Sequence, residues 1–185
     1  MPEVLELGFN CRNIRKQPGT MQKMSRSYKM MRKNLLISSI AVVIVVLDFL
    51  TKRAVTANVL PYESINILPF LRIVYVENKG AAFGLFSALG NNIFVIISVI
   101  TIALIVVYAY RFAKGWEIYS FSFILGGALG NLIDRLTIGK VIDFIDVFIG
   151  KWHWPAFNVA DSALTIGIGL FILINLTPNK IKGSL

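Results

Sequence analysis

Apolar residues occur in long runs along this chain, and runs of such length predict helices that cross a membrane. The first covers about 34–55, where residues 35–47 contain nothing more polar than two serines. Three more cover about 91–110, 116–136 and 157–176. The pattern predicts an all-α integral membrane protein with four transmembrane helices, together forming a membrane domain over 34–177.

The segment 57–90 interrupts this pattern. It contains prolines, then the β-rich run LRIVYVEN, then the turn-like sequence Asn78-Lys79-Gly80. We expect a small extracytoplasmic β-rich segment here, with GAAFGLF returning toward the membrane surface. Asn78 and Gly80 can equally be read as a simple turn.

Composition agrees with a membrane protein. Of 185 residues, 56% are apolar and 16% charged, and the mean hydropathy is +0.68. The net charge of +9 would suit nucleic acid, but the basic residues cluster at the chain ends and between apolar runs. They are therefore read as topology signals among membrane lipids, with no nucleic-acid partner.

The two chain ends are predicted to be cytoplasmic. Residues 1–33 are polar and basic without a repeating apolar face, which predicts a disordered tail, and 178–185 form a second tail. Methionines within 1–33 offer alternative starts, so the true first residue stays open. Four spans with the N-terminus inside place 12 of the 19 Lys and Arg on the cytoplasmic side.

This topology brings most of the polar residues near the spans to the outer face. They are Asp48, Asn78, Asp134, Asp143 and Asp161. Lys52 lies one helical turn after Asp48, on the same face. The pair is either a solvated helix end with a snorkelling lysine or an intramembrane pair that supports a site.

The stretch 126–165 holds four of the ten acidic residues. Its glycines at 126, 127 and 130 predict close helix packing. Asn131, Asp134 and Arg135 share one polar face near the outer helix end, as a site wall or as a surface ion pair. Arg135 could offer donors to a carbonyl or a lipid head group.

Three further aspartates follow, and local sequence does not rank them. Asp143 and Asp146 are rivals within VIDFID, where apolar neighbours favour a protonated carboxyl. Asp161, on one face with Asn158 and Thr165, is either a first-turn helix acid or a site residue. Two aspartates held close together would differ in pKa and supply one base and one acid, which is what amide hydrolysis requires.

Other chemistries fit poorly. The chain has one cysteine, Cys11, and one histidine, His153, so an internal disulfide is impossible and a zinc site is not expected. A Ser-His-Asp triad has no GxSxG motif, and Cys11 lies on the opposite side of the membrane. A Ser/Lys dyad through Lys52 stays open, although no serine stands out as its partner.

Five motifs in order resemble the bacterial lipoprotein signal peptidase family, signal peptidase II. They are Asp48-Phe-Leu-Thr51-Lys52, Asn78-Lys-Gly80-Ala-Ala-Phe-Gly84, Gly126-Gly-Ala-Leu-Gly-Asn131-Leu-Ile-Asp134-Arg135, Val141-Ile-Asp143-Phe and Phe157-Asn158-Val-Ala160-Asp161-Ser. The resemblance covers about 34–176 and favours Asp143 over Asp146.

The resemblance implies an aspartyl endopeptidase of the cytoplasmic membrane, which cleaves prolipoproteins before the diacylglyceryl-modified cysteine. We expect a monomer, although the sequence leaves the oligomeric state open. It implies Asp143 and Asp161 as the catalytic pair, and no metal or organic cofactor. Globomycin-type antibiotics would block the site. Implied substrate-binding residues are Asn78, Gly80, Asn131, Arg135 and Asn158, and implied supporting residues are Asp48, Lys52 and Asp134.

Two other classes of function remain as alternatives. One is a small proton-coupled transporter, which would need polar groups at the midplane of several spans. The second span has almost none, and the charges gather at one face. The other is an assembly factor that uses the aspartates only for packing.

Overall fold

Helices and strands alternate along the chain in the computed structural model, which describes residues 18–61, 63–80 and 90–176. The helices are α1 (Pro18–Asn58), α2 (Asn91–Arg111), α3 (Glu117–Thr137) and α4 (Val159–Leu176), and the strands are β1 (Ser64–Leu68), β2 (Leu71–Asn78), β3 (Val141–Ile149) and β4 (Trp152–His153). Residues 1–17 of the predicted 1–33 tail, the predicted tail at 178–185 and most of the GAAFGLF segment lie outside the described residues.

Three helices in the described part of the chain are long and apolar enough to cross a membrane. They are α1, α2 and α4, with mean hydropathies of 2.3, 2.8 and 1.9 in their most apolar windows. Large side chains on their outer surfaces, such as Ile100 and Leu104 of α2, are exposed. Such surfaces suit lipid, because apolar side chains facing outward cost nothing there.

Helix α3 covers the predicted third span but is less apolar than the others. It packs against α1, α2 and α4, and four of its polar side chains are buried: Ser120, Ser122, Asp134 and Arg135. A side chain on Gly126 would collide with Ala41 and Ile44 of α1, and one on Gly127 would collide with α4. The predicted close packing at these glycines is confirmed.

The four strands form one antiparallel sheet in the order β1-β2-β3-β4. The sequence predicted strands only within 57–90, so the second half of the sheet is a correction to the all-α prediction. β3 pairs with β2, which lies more than sixty residues earlier, with Asn78 opposite Val141 and Val76 opposite Asp143. Local sequence does not encode this pairing.

Helix α1 begins earlier than predicted. Residues 18–33 continue the helix rather than forming a disordered segment. After Gly19 this stretch contains no further glycine or proline, and it is rich in Met, Lys, Arg and Gln, which have high helix propensity. The helix therefore propagates outward from the packed part at little cost.

Candidate active site

Asp143 lies near the start of β3, where the antiparallel register brings it to Asn78 at the end of β2. The Asn78 side-chain amide donates a hydrogen bond of 2.9 Å to Asp143 Oδ2. Asn78 Oδ1 in turn accepts one of 2.9 Å from the backbone N–H of Gly80. The residue at the predicted turn, Asn78, therefore also positions one oxygen of the buried Asp143 carboxyl group.

Asp161 lies in the first turn of α4, where it forms a reciprocal cap with Asn158. Asn158 Oδ1 accepts a hydrogen bond of 2.8 Å from the backbone N–H of Asp161. Asp161 Oδ2 accepts one of 3.3 Å from the backbone N–H of Asn158. This is the geometry of a capping box, so the helix start fixes the position of the carboxyl group.

Asn158 also connects the two aspartates. Its side-chain amide donates to Asp143 Oδ1 at 2.7 Å, while Asn131 donates to Asp161 Oδ1 at 2.7 Å. Asn158 is fully buried and also contacts Asn131 Oδ1 at 3.2 Å. Two carboxyl groups from different elements are thus held around one asparagine.

Both carboxyl groups line one cavity of about 710 Å³. Of the five predicted substrate-binding residues, Asn158 does not line this cavity and four do: Asn78, Gly80, Asn131 and Arg135. The rest of the wall comes from the segment before α4 and the first turns of α4: Trp154, Pro155, Ala156, Phe157, Ser162, Leu164, Thr165 and Ile166. Phe157 and Ser162 belong to the last of the five motifs, and Thr165 shares a helix face with Asp161, whereas no motif marked the others.

The protonation of Asp143 follows from its surroundings. Burial, and after it the charge of the nearby Asp161, raise the pKa of Asp143 from the ordinary 3.8 to about 6. The hydrogen bonds from Asn78 and Asn158, and then the charge of Lys52, oppose this shift. Asp143 can therefore gain or lose a proton near neutral pH.

The ammonium group of Lys52 contacts three side chains close to the two carboxyl groups. The group lies 2.6 Å from Asp48 Oδ2 and 2.8 Å from Asp134 Oδ2, and it donates to Asn131 Oδ1 at 3.2 Å. Asp48 and Lys52 are only 1% and 3% exposed, so the solvated-helix-end interpretation is wrong. The three contacts use all three donors of the ammonium group, and they orient the amide that binds Asp161.

The two carboxylates that hold Lys52 also hold backbone groups. Asp48 Oδ1 accepts from the backbone N–H of Ala160 at 2.9 Å, in the first turn of α4. Asp134 Oδ2 accepts from the N–H of Ile142 at 3.2 Å, next to Asp143. Asp134 pairs with Lys52, and both Asp134 and Arg135 are buried, which rules out a surface Asp134–Arg135 pair.

Arg135 connects α3 to the end of β2. Its Nη2 donates 2.7 Å to the carbonyl oxygen of Gly80, and its guanidinium lies 4.7 Å from the ring centre of Phe94. Its Nη1 is buried and has no hydrogen-bond partner among the described residues. This leaves one charged donor on a residue that lines the cavity.

Asp146 does not join this group. It faces the opposite side of β3, where it pairs with Arg72 at 2.5 Å and with His153 at 3.1 Å. Side chains alternate along a strand, so residues three apart point to opposite faces. A strand prediction for VIDFID would therefore have placed Asp143 and Asp146 on opposite faces of the sheet.

Comparisons with known proteins agree with this geometry. The family model for signal peptidase II matches residues 40–177. The lipoprotein signal peptidase of Thermodesulfovibrio yellowstonii is 48% identical over 133 residues, covering 72% of this chain and 89% of that protein. The one from Anaplasma phagocytophilum is 38% identical over 148 residues, covering 79% and 95%.

A solved bacterial membrane enzyme, determined by the in meso method at 2.3 Å resolution, has the same fold. The TM-score is 0.72 at 36% identity, and the match covers 80% of this chain and 93% of that one. The apolar helices, the two aspartates that line one cavity and the matched family define the class as a membrane-embedded aspartic peptidase. The chain belongs to the signal peptidase II family.

Proposed function

We propose that this enzyme removes signal peptides from prolipoproteins, cleaving the peptide bond before the lipid-modified cysteine. Asp143 and Asp161 are its catalytic residues. The observation that carries the assignment is the pair of carboxyl groups held on either side of Asn158 within one cavity. The matched family and its relatives support the substrate class.

The reaction requires one ionised and one protonated carboxyl group. The ionised carboxylate takes a proton from a water molecule, whose oxygen then bonds to the scissile carbonyl carbon. The protonated carboxyl group donates its proton to the leaving nitrogen as the C–N bond breaks. The products are a signal peptide ending in a carboxylate and a lipoprotein beginning with its cysteine amine.

The cavity wall suits a substrate that is both polar and lipid-bearing. Asn78, Gly80, Asn131 and Arg135 line the cavity and supply the polar groups that position the peptide. Asn158, predicted to bind substrate, is fully buried and instead positions the two carboxyl groups. The unpartnered Nη1 of Arg135 is a charged donor for a substrate carbonyl oxygen.

The lipid chains leave the cavity on another side. Thr165 and Ile166 of α4 line the cavity and are exposed on the lateral surface of the helix. Diacylglyceryl chains can pass there into the bilayer while the peptide bond stays at the carboxyl groups. A globomycin-type inhibitor would occupy the same space.

The proposed topology has four spans, with α3 enclosed by the other three, and both termini in the cytoplasm. The active site then lies at the outer face of the cytoplasmic membrane in a monomer. Basic residues support this orientation, since Lys33, Arg111 and Lys114 lie at the end of the bundle opposite the carboxyl groups. The transporter alternative is not favoured, because the polar residues gather at one end.

The test is a cleavage assay with purified protein in detergent. Wild-type protein should cleave a diacylglyceryl-modified prolipoprotein and should not cleave the same precursor without lipid. Asp161→Asn should bind the lipidated precursor but not cleave it, while its thermal unfolding stays cooperative. Equal cleavage of both precursors would contradict the substrate class, and cleavage by Asp161→Asn would contradict the catalytic pair.

A further inference from the structure

A second cavity lies at the other end of the bundle, away from the carboxyl groups. It has a volume of about 500 Å³ and is lined by three basic residues, Lys29, Arg32 and Lys33, and by the apolar side chains of Leu35, Leu36 and Ile118. It therefore lies between the basic and the apolar parts of α1, against the start of α3. The matched family region begins at residue 40, after the basic residues of this cavity.

Lys33 is held in place by the neighbouring helix. Its ammonium group donates 2.8 Å to the carbonyl oxygen of Tyr110 and 3.3 Å to that of Ala113, at the end of α2. The Tyr110 hydroxyl lies 2.6 Å from Ser38 Oγ, which ties the same two helices. Two of the three Lys33 donors are thus used, and one remains for a ligand.

The charge of this region is one-sided. Residues 18–33 contain five basic residues, Lys23, Arg26, Lys29, Arg32 and Lys33, and α1 has no acidic residue before Asp48. The acidic residue at the start of α3 is Glu117, and its carboxylate accepts a 3.3 Å hydrogen bond from the backbone N–H of Lys114. An anion entering the cavity would meet several cations at once.

We propose that this cavity binds the phosphate group of an anionic phospholipid from the adjacent leaflet. The guanidinium of Arg32 and the free ammonium donors of Lys29 and Lys33 match the oxygens of a phosphodiester. The site lies where α1 leaves its apolar run, which is the depth of lipid head groups.

The apolar walls select a lipid over other phosphate ligands. Leu35 is 66% exposed and Leu36 is 37% exposed, on the membrane side of the basic residues. An acyl chain extending from the bound head group would cover both. A nucleic-acid backbone would leave these leucines uncovered and gain nothing from them.

Native mass spectrometry of the full-length protein, released from detergent with added lipid, tests the site. Wild-type protein should retain phosphatidylglycerol more strongly than phosphatidylcholine. Lys29→Gln/Arg32→Gln should reduce phosphatidylglycerol retention by about thirtyfold, since it removes two cations from the head-group site. Lys33 is left intact because its bonds join α1 to α2.

The matched control is Lys23→Gln/Arg26→Gln, which removes the same charge from the same helix outside the cavity. It should change retention by less than about twofold, and both double variants should keep wild-type cleavage activity. Equal losses in the two variants would show diffuse attraction and overturn the site, as would equal retention of the two lipids. Competition by millimolar glycerol phosphate or by a single-stranded oligonucleotide would overturn the lipid assignment.

Discussion

Asp143 and Asp146 lie three residues apart on the same strand and are both buried, yet their partners differ in kind. Asp143 receives hydrogen bonds from two neutral amides, those of Asn78 and Asn158. Asp146 pairs with the Arg72 guanidinium and contacts the His153 ring. The two amides that hold Asp143 carry no charge, whereas Asp146 lies directly beside a guanidinium cation.

This difference in partners fits the proposed catalytic role of Asp143 and a structural role of Asp146. The carboxyl group beside amides lines a cavity and has a pKa raised to about 6, so its proton can move near neutral pH. Asp146 joins three strands, because it lies on β3 and contacts Arg72 on β2 and His153 on β4. Burial alone would not distinguish them, and the partner groups do.

Replacing each aspartate by asparagine should give the largest contrast. Asp143→Asn should lower kcat/KM for lipidated prolipoprotein by more than about 10³-fold, since an amide neither accepts nor donates the catalytic proton. Asp146→Asn should keep the activity of the folded enzyme within about threefold but lower its thermal stability. Cleavage kinetics and thermal unfolding of both variants in one detergent check this.

Equal activity losses in the two folded variants would remove the distinction between the two groups. A stable and inactive Asp146→Asn enzyme would move the chemistry to the other face of β3. Retained cleavage by Asp143→Asn would exclude Asp143 from proton transfer.

The spans were predictable because long apolar runs specify them locally, and α2 begins at the predicted residue 91 and ends one residue beyond the predicted 110. The gathering of Asp48, Asn78, Asp143 and Asp161 at one end followed from counting spans. Their roles stay predictions. The strand β3 was missed because its register depends on β2, and the reciprocal cap at Asn158 was missed because only Asp161 was considered for the helix start.

The tertiary contacts were beyond local sequence for a different reason. Asn158 reaches Asp143 and Asn131 only after α3, β3 and α4 have packed together. Asp134 and Arg135 are adjacent in sequence but point to different partners, Lys52 and Gly80. Adjacent helix positions do not share a direction, so neighbouring opposite charges were a poor guide to pairing.

Replacing Asn158 should give the next largest effect, because Asn158 contacts both proposed catalytic aspartates, Asp143 and Asp161. Asn158→Ala should lower kcat by about 10²-fold, since Asp143 loses a donor and Asp161 loses its reciprocal cap. It should also cost about 1 kcal/mol of stability through the lost cap. Asn175→Ala, near the other end of α4, is the matched control and should leave kcat unchanged.

A second readout shows whether Asn158 acts through the carboxyl groups. The pH dependence of kcat/KM should shift in Asn158→Ala, because removing a donor to ionised Asp143 raises its pKa further. A lower kcat with an unchanged pH profile would indicate a packing role only.

The raised pKa of Asp143 also predicts a pH dependence of stability. Its value is about 6 in the folded protein against 3.8 ordinarily, so folding favours the protonated form. That contribution is complete below about pH 3.8 and is lost as the pH rises through about 6. Relative to Asp143→Asn, wild-type protein should lose about 2 kcal/mol of unfolding free energy between pH 4 and pH 7.

The measurement is thermal or denaturant unfolding of both proteins in one detergent across that pH range. Taking the difference between them cancels other groups that titrate equally in both. A difference that grows with pH in favour of wild type would mean that Asp143 is stabilised as the carboxylate, contrary to its apolar surroundings.

The smallest effect belongs to the outer member of the Asp146 cluster. His153 is 40% exposed, contacts Asp146 at 3.1 Å and stacks on Phe148 with ring centres 5.2 Å apart. His153→Phe keeps the stacking and removes the hydrogen bond, so it should cost about 0.5–1 kcal/mol of stability.

Arg72→Met should cost more, because it leaves the buried Asp146 side chain without its cationic partner. Neither change should alter cleavage kinetics, since neither residue lines the cavity; a tenfold loss of kcat in His153→Phe would instead connect the two faces of β3.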